Sequence, residues 1–330
     1  MPNMPIPATI TLLMTHAEER DRTMRPMKIN HLLTLFVVFA VSLFGQNRFT
    51  PARLTVDPAQ EGFPTWSPDS KSIIYSNFSW TDSLGKNGLW RISLKEKQPR
   101  KIYSGIAEHP RLSPDGRLIV FDADTGNSMK MIDAEGGGQR KFLPDSIRIQ
   151  SGGLPCWSPD GSQIAFKEGS TGSLWIYDMK TAAVSRIFRE EGLLPLPGCW
   201  SGDGTYILIA LMDRQTRKST MWKISCDGKE KRQITGHHES FYRYLALSPD
   251  GSLLAYVAME GKDLGLWVMP AQGGKSVPLT ITHPGHNDGP AWSPDGKWMA
   301  FASTRSGNHD IWIMDLDVDQ LKADLGVLNQ

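Results

Sequence analysis

The tetrapeptide Ser-Pro-Asp-Gly, or a near variant, occurs six times, with its serines at 67, 113, 158, 201, 248 and 293. The steps between them are 46, 45, 43, 47 and 45 residues. A hydroxyl beside a carboxylate in a tight turn resembles a reactive site, yet a motif met six times at a steady period marks stacked supersecondary units. No Gly-x-Ser-x-Gly elbow occurs in the chain, so nothing singles out one of these serines as a nucleophile. The period constrains the fold before any residue constrains the chemistry.

The last unit serves as template. Pro290 to Ser293 reads as a short strand, Ser-Pro-Asp-Gly as a turn, Lys297 to Ser303 as a second strand, "TRSGNH" as a loop and Asp310 to Asp315 as a third strand. Serine suits the first position of a type I turn, proline presets the next φ, aspartate fits the third place, and glycine takes the left-handed position that closes the hairpin with a bulge. Ser70 replaces the glycine in the first unit and Gly202 the proline in the fourth; those two turns are expected to be looser. Eight residues after each turn serine stands Tyr75, Phe121, Phe166, Ile209, Tyr256 or Phe301, and the third strand repeats as "LWRIS", "MKMID", "LWIYD", "MWKIS", "LWVMP" and "IWIMD". Nine of the eleven tryptophans fall just before the turn or on this third strand. Such recurrence favours sheet-on-sheet packing over ligand stacking.

A fourth strand is expected at "RKIY" (Arg100), "RKFL" (Arg140), "SRIF" (Ser185), "RQIT" (Arg232) and "SVPLT" (Ser276). After Asp315 the sixth unit has none, but "ARLT" at Ala52 carries the pattern. The N-terminal strand should therefore complete the last sheet, which is how radial repeats hide their edges. The expected architecture is an all-β, six-bladed β-propeller of four-stranded antiparallel blades over residues 48–316, preceded by a lead and signal segment over 1–47 and followed by a tail over 317–330.

The units "WSPDG...IAF...LWIYD" and "WSPDG...MAF...IWIMD" resemble the propeller repeats of the TolB family, periplasmic proteins of the Tol–Pal system, and "ITGHHESFYRYLALSPDG" resembles a Trp-Asp (WD) repeat, although no unit carries Trp-Asp on its third strand. The resemblance implies the propeller fold. It implies less about function, because the same repeat serves many exported proteins and the non-catalytic propellers of dipeptidyl and prolyl peptidases. No stretch reads as the α/β domain that precedes the TolB propeller, or as a hydrolase domain.

The 36 basic and 35 acidic residues nearly cancel, which argues against a nucleic-acid partner or an anionic surface. Lys101, Arg140, Lys141, Arg186, Lys231 and Arg232 mark the outer strands one or two per blade, as charges that deter edge-to-edge pairing. Three cysteines without a Cys-x-x-Cys pair build neither a disulfide framework nor a zinc ribbon. Cys156 and Cys199 hold matching places in successive units, a sheet spacing of about 10 Å, so free thiols are expected. From Met24 or Met27 the chain reads Arg25 and Lys28, an apolar run from Leu32 to Phe44, then small and polar residues. That is the pattern of a secretory signal. The run falls short of the roughly 20 residues of a bilayer span, so a periplasmic or secreted protein with no stable membrane span after cleavage is expected.

Propeller strands alternate in direction, so the one-to-two and three-to-four loops share one face, and the two-to-three and four-to-one loops share the other. The second face varies more between units, with "SNFSWTDSLGKNG" after Tyr75 and "MDRQTRKST" after Leu211 as its longest two-to-three loops. Irregular loops on a rigid frame are where binding usually sits. His109, His237, His238, His283 and His286 are expected in four-to-one connections near the channel mouth on this face, with Glu61, Glu108, Glu239 and Asp288. The leading expectation is a monomer that binds a protein or cell-envelope ligand through these residues, with no cofactor and no catalysis. The alternative is a divalent metal held by imidazoles and carboxylates of adjacent blades. That would make the chain similar to oligogalacturonate lyases, an enzyme acting on sugar acids. No His-x-His or His-Glu-x-x-His spacing supports it.

Overall fold

Six four-stranded antiparallel sheets account for the strands among the described residues, which in this computed structural model are 49–79, 85–124, 128–169, 171–235, 241–280 and 285–327. The expected leader over 1–47 lies outside them. In five sheets the four strands follow chain order, and in the sixth Ala52–Arg53 lies beside Asp310–Asp315. Ala52 pairs with Ile313 and Arg53 with Trp312, and Leu54 N–H donates to Ile311 O at 2.8 Å. The innermost strands are Gln60–Trp66, Ala107–Leu112, Ser151–Trp157, Leu193–Trp200, Tyr242–Leu247 and Asn287–Trp292. Each neighbours the inner strand of the next blade, and the sixth neighbours the first. The result is a six-bladed propeller around one axis.

The repeated apolar positions meet across strands. Tyr75 pairs with Trp90, Phe166 with Trp175, Ile209 with Trp222, Tyr256 with Trp267 and Phe301 with Trp312, while Phe121 faces Lys130. The second-strand members are all buried, each contributing on the order of 1.5–3 kcal/mol.

The tryptophans before the turns do a second job. Trp66, Trp157, Trp200 and Trp292 each donate their indole N–H at 3.0 Å to a carbonyl on the preceding blade, those of Ala291, Arg111, Cys156 and Ala246. The acceptor is always two residues before that blade's turn serine. Trp66 ties the first blade to the sixth. In the second and fifth units Leu112 and Leu247 hold this place.

All six turns are built alike. The serine hydroxyl donates to the aspartate two residues on, at 2.6 Å in five turns and 2.5 Å in the sixth, and accepts the backbone N–H five residues on. Ser70 takes the left-handed φ of 58° that glycine takes elsewhere, and the Gly202 turn makes the same bonds. The expected loosening of these two turns does not occur, because the Ser-Asp pair fixes the geometry. Six hydroxyls and six carboxylates are thereby spent on structure.

"MDRQTRKST" is also shorter than its sequence suggests: the strands run Tyr206–Asp213 and Ser219–Ser225. The five residues between are folded back by the Asp213 carboxylate, which accepts the Gln215 and Thr216 N–H groups at 2.9 and 2.7 Å. The outer strands range from two exposed residues at Arg140–Lys141 to six at Pro99–Ser104, where Ile102 is buried. The three cysteines are free thiols. Beyond the last blade Val318–Leu325 is a helix, capped by Asp317 and ended by Gly326 at φ 68°. It buries Leu321 and Leu325 among Leu253, Leu266, Trp292 and Met314 of the fifth and sixth blades.

Candidate functional site

Four residues before each turn serine stand Phe63, His109, Leu154, Pro197, Tyr244 and Gly289. Five of them have φ between 49° and 57°, all except Pro197, whose ring forbids it. Every inner strand shifts register there. This is a β-bulge repeated six times, which re-aims a side chain at the cost of about 1–3 kcal/mol of strain for a bulky residue. Three of the bulged residues bring their rings together. Phe63 and His109 approach to 4.0 Å between ring centroids, Phe63 and Tyr244 to 5.5 Å, and His109 and Tyr244 to 5.7 Å. Gly289 holds the same place in the sixth blade at φ 57° and lies against the Phe63 backbone. Three rings from the first, second and fifth blades thus meet across the channel.

His109 is locked. Its Nδ1 lies 2.8 Å from Asp122 Oδ2, and its Nε2 3.4 Å from the Tyr244 hydroxyl. The same carboxylate accepts the Leu154 N–H at 3.0 Å, so Asp122 joins the bulges of the second and third blades. His109, Glu61, Glu108 and Asp288 all lie within inner strands. This corrects their expected place in the four-to-one connections: the strands begin earlier than the turn spacing implied.

Glu61, Glu108 and Asp288 come together around a cavity of about 130 Å³ that Phe63, Phe78 and His309 also line. Burial raises the proton affinity of Glu108 and Asp288, and pushes the Glu61 carboxyl up to about 8. Asp288 is held at 2.6 Å by Arg243, whose guanidinium lies 4.7 Å from the Tyr244 ring centroid. Glu61 turns into the seam between the first and sixth blades, where it accepts the Thr55 hydroxyl. Nearby Asp310 is fully buried; its Oδ2 pairs with Arg53 at 2.9 Å, and its Oδ1 has no hydrogen-bond partner among the described residues. His286 is exposed on the four-to-one connection, fixed through its backbone to Thr304. His237, His238, Glu239 and His283 lie outside the described residues. Among the described residues no three His, Cys, Asp or Glu side chains are grouped to hold a metal ion.

Sequence reasoning missed Asp122, Arg243, Tyr244, Phe63 and His309. The available signal was positional: counting back four or five residues from each turn serine reaches Phe63, Glu108, His109, Arg243, Tyr244 and Asp288. Their types differ from blade to blade, so the repeat conceals them. Among the described residues no helix is long and apolar enough to cross a membrane.

No family model matches the chain. It is 33% identical over 86 residues to the Tol-Pal system protein TolB of Francisella tularensis, a match covering 26% of this chain and 18% of that protein. The chain spans less than a quarter of the length of the curated relatives it matches. Among solved structures it is similar to a TolB from Agrobacterium tumefaciens, described as putative, with a TM-score of 0.58 at 19% identity, covering 81% of this chain and 97% of that one. An oligogalacturonate lyase from Vibrio parahaemolyticus gives 0.59 at 13% identity, covering 83% and 96%. At these identities the structural likeness speaks for the fold. With its periodic turns and six four-stranded sheets the chain is a six-bladed β-propeller, and part of its sequence is similar to TolB.

Proposed function

We propose that the chain is an exported binding propeller without chemistry of its own, which holds a protein or cell-envelope ligand on the face of the two-to-three and four-to-one loops. The observation that carries this reading is the acidic mouth: Glu61, Glu108 and Asp288 around one cavity with Phe63 and Phe78 beside them. Carboxylates that burial has made reluctant to ionise are relieved by an incoming cation, and the phenyl rings suit the methylene stem of a lysine or arginine. A basic side chain from a partner meets both demands. The repeat serines and aspartates are occupied in turns, and His109 is tied to Asp122 and Tyr244. The TolB likeness supports a periplasmic location and a membrane-linked or peptidoglycan-linked partner.

The mature protein is tested as bait in an envelope extract beside Glu108→Lys. Capture by the wild type that is lost on charge reversal supports the reading, and an identical captured set refutes it. The fold likeness to an oligogalacturonate lyase keeps a metal-dependent lyase as the competitor. Elemental analysis decides: stoichiometric divalent metal, lost when His237, His238, His283 and His286 are replaced by Ala, overturns the binding-only reading.

A further inference from the structure

The larger concavity lies at the opposite mouth. A funnel of about 390 Å³ opens among the Ser-Pro-Asp-Gly turns, within the size range of small-molecule sites. Its wall is apolar. Trp66, Trp157, Trp200 and Trp292 line it, and their N–H groups are already given to carbonyls of the preceding blades. Turn prolines 114, 159 and 294 also line it.

One layer deeper, two residues before each turn serine, the ring reads Thr65, Arg111, Cys156, Cys199, Ala246 and Ala291. Five are small or neutral. Arg111 alone brings a charge. A guanidinium carries five N–H donors, and the bond described for this one is from Nη1 to the carbonyl of its own neighbour, Pro110, at 3.0 Å. Among the described residues no carboxylate lies within ion-pair distance of it. Asp122, on the next layer, is engaged by His109 and by Leu154 N–H. The thiols beside Arg111 do not neutralise it, because burial pushes Cys199 up to about 12 and Cys156 further in the same direction. Beneath this layer Phe63, His109 and Tyr244 close the channel floor.

We propose that this funnel is a binding site for a small carboxylate carried on a flat apolar stem, with the carboxylate on Arg111 and the stem against the tryptophan and proline wall. A half-buried cation with no carboxylate in contact, only Asp122 acting on it through space, is a standing cost. An anion of matching geometry removes it through two parallel hydrogen bonds. The indole faces exclude water from the pair. The site is independent of the acidic mouth, which lies at the other end of the inner strands.

The probe is 3-phenylpropionate, titrated by calorimetry and ligand-observed NMR against 3-phenylpropanamide, which keeps the shape and loses the charge. Binding of the acid is expected to exceed that of the amide by about ten- to hundredfold, the worth of one charged hydrogen-bonded contact. Arg111→Met should remove the preference, and Arg111→Lys should restore part of it. Ala246→Glu, which sets a competing carboxylate in the same layer, should abolish binding with Arg111 retained, and it carries the test if the methionine variant does not fold. Glu191→Gln, exposed on the connection between Val184–Phe188 and Leu193–Trp200, should bind as wild type does. Equal affinity for acid and amide, no binding of the acid at millimolar concentration, or undiminished binding in a folded Arg111→Met or Ala246→Glu protein overturns the proposal.

Discussion

Replacing Glu61 by glutamine should flatten the pH dependence of stability between the acid and mildly alkaline ranges. Glu61 is 2% exposed and turned into the seam where the last blade meets the first. It is faced there by Thr55 and Tyr75 and by the carboxylates of Asp310 and Asp57. Burial, reinforced by those two acids, moves its carboxyl from 4.5 to about 8. The folded chain therefore holds this proton more tightly than the unfolded chain does. The resulting stabilisation is complete below the unfolded value and is lost as pH rises through about 8. At about 1.4 kcal/mol per pH unit across that window, ionising Glu61 costs about 5 kcal/mol, as an upper bound. Glutamine is nearly isosteric, keeps an oxygen for the Thr55 hydroxyl, and does not ionise. Urea denaturation of both proteins at pH 5, 6, 7, 8 and 9 isolates the effect, since groups unconnected with the seam titrate alike in both and cancel. Wild type should lose ground to the variant steadily with rising pH. Parallel stability curves would refute the assignment of a protonated carboxyl to the seam.

Trp66→Phe removes the indole bond from the first blade to the sixth and leaves the Ala291 carbonyl short of a donor, a loss of about 1–3 kcal/mol readable as a lower denaturation midpoint with unchanged slope. Asp160 and Asp203 are held near 2 by their turn serines and by backbone N–H groups; the lowered values place their contribution above about pH 4, to be lost on acidification toward 2. Asp160→Asn should therefore shorten the acid limb of a melting-temperature profile, and an unchanged limb would count against the turn network. Leu321→Ala opens a void under the C-terminal helix, where the side chain is fully buried, and should cost about 2–5 kcal/mol by denaturation; a cost near zero would mean that the helix adds nothing to the fifth and sixth blades.

Much of the fold was legible in advance because a propeller is a local rule applied six times. The turn residues state their own geometry, and a step of about 45 residues states the size of a blade. Even the strand at Ala52 could be placed, since its basic-apolar pattern matched a gap at the other end of the chain, and its pairing with Trp312 and Ile313 follows that logic. Recurrence alone marks the tryptophans as packing residues but not the direction of their N–H groups, because the acceptors lie on another blade.

The site was legible only in part. Turn spacing puts Glu61, Glu108, His109 and Asp288 on connections, whereas all four lie within inner strands; the three carboxylates share a cavity and His109 sits inside the channel. Arg111 gave no signal at all: it is one basic residue in a repeat whose equivalents are Thr65, Cys156, Cys199, Ala246 and Ala291. The sequence by itself determined which residues recur, and therefore the blade, the turns and the number of units, since each depends on contacts within about 45 residues. Only the tertiary structure decided which non-recurring side chains converge. Convergence is set by closure of the ring, and closure brings Phe63 to His109 and Tyr244 across the channel, at separations along the chain that no local pattern records.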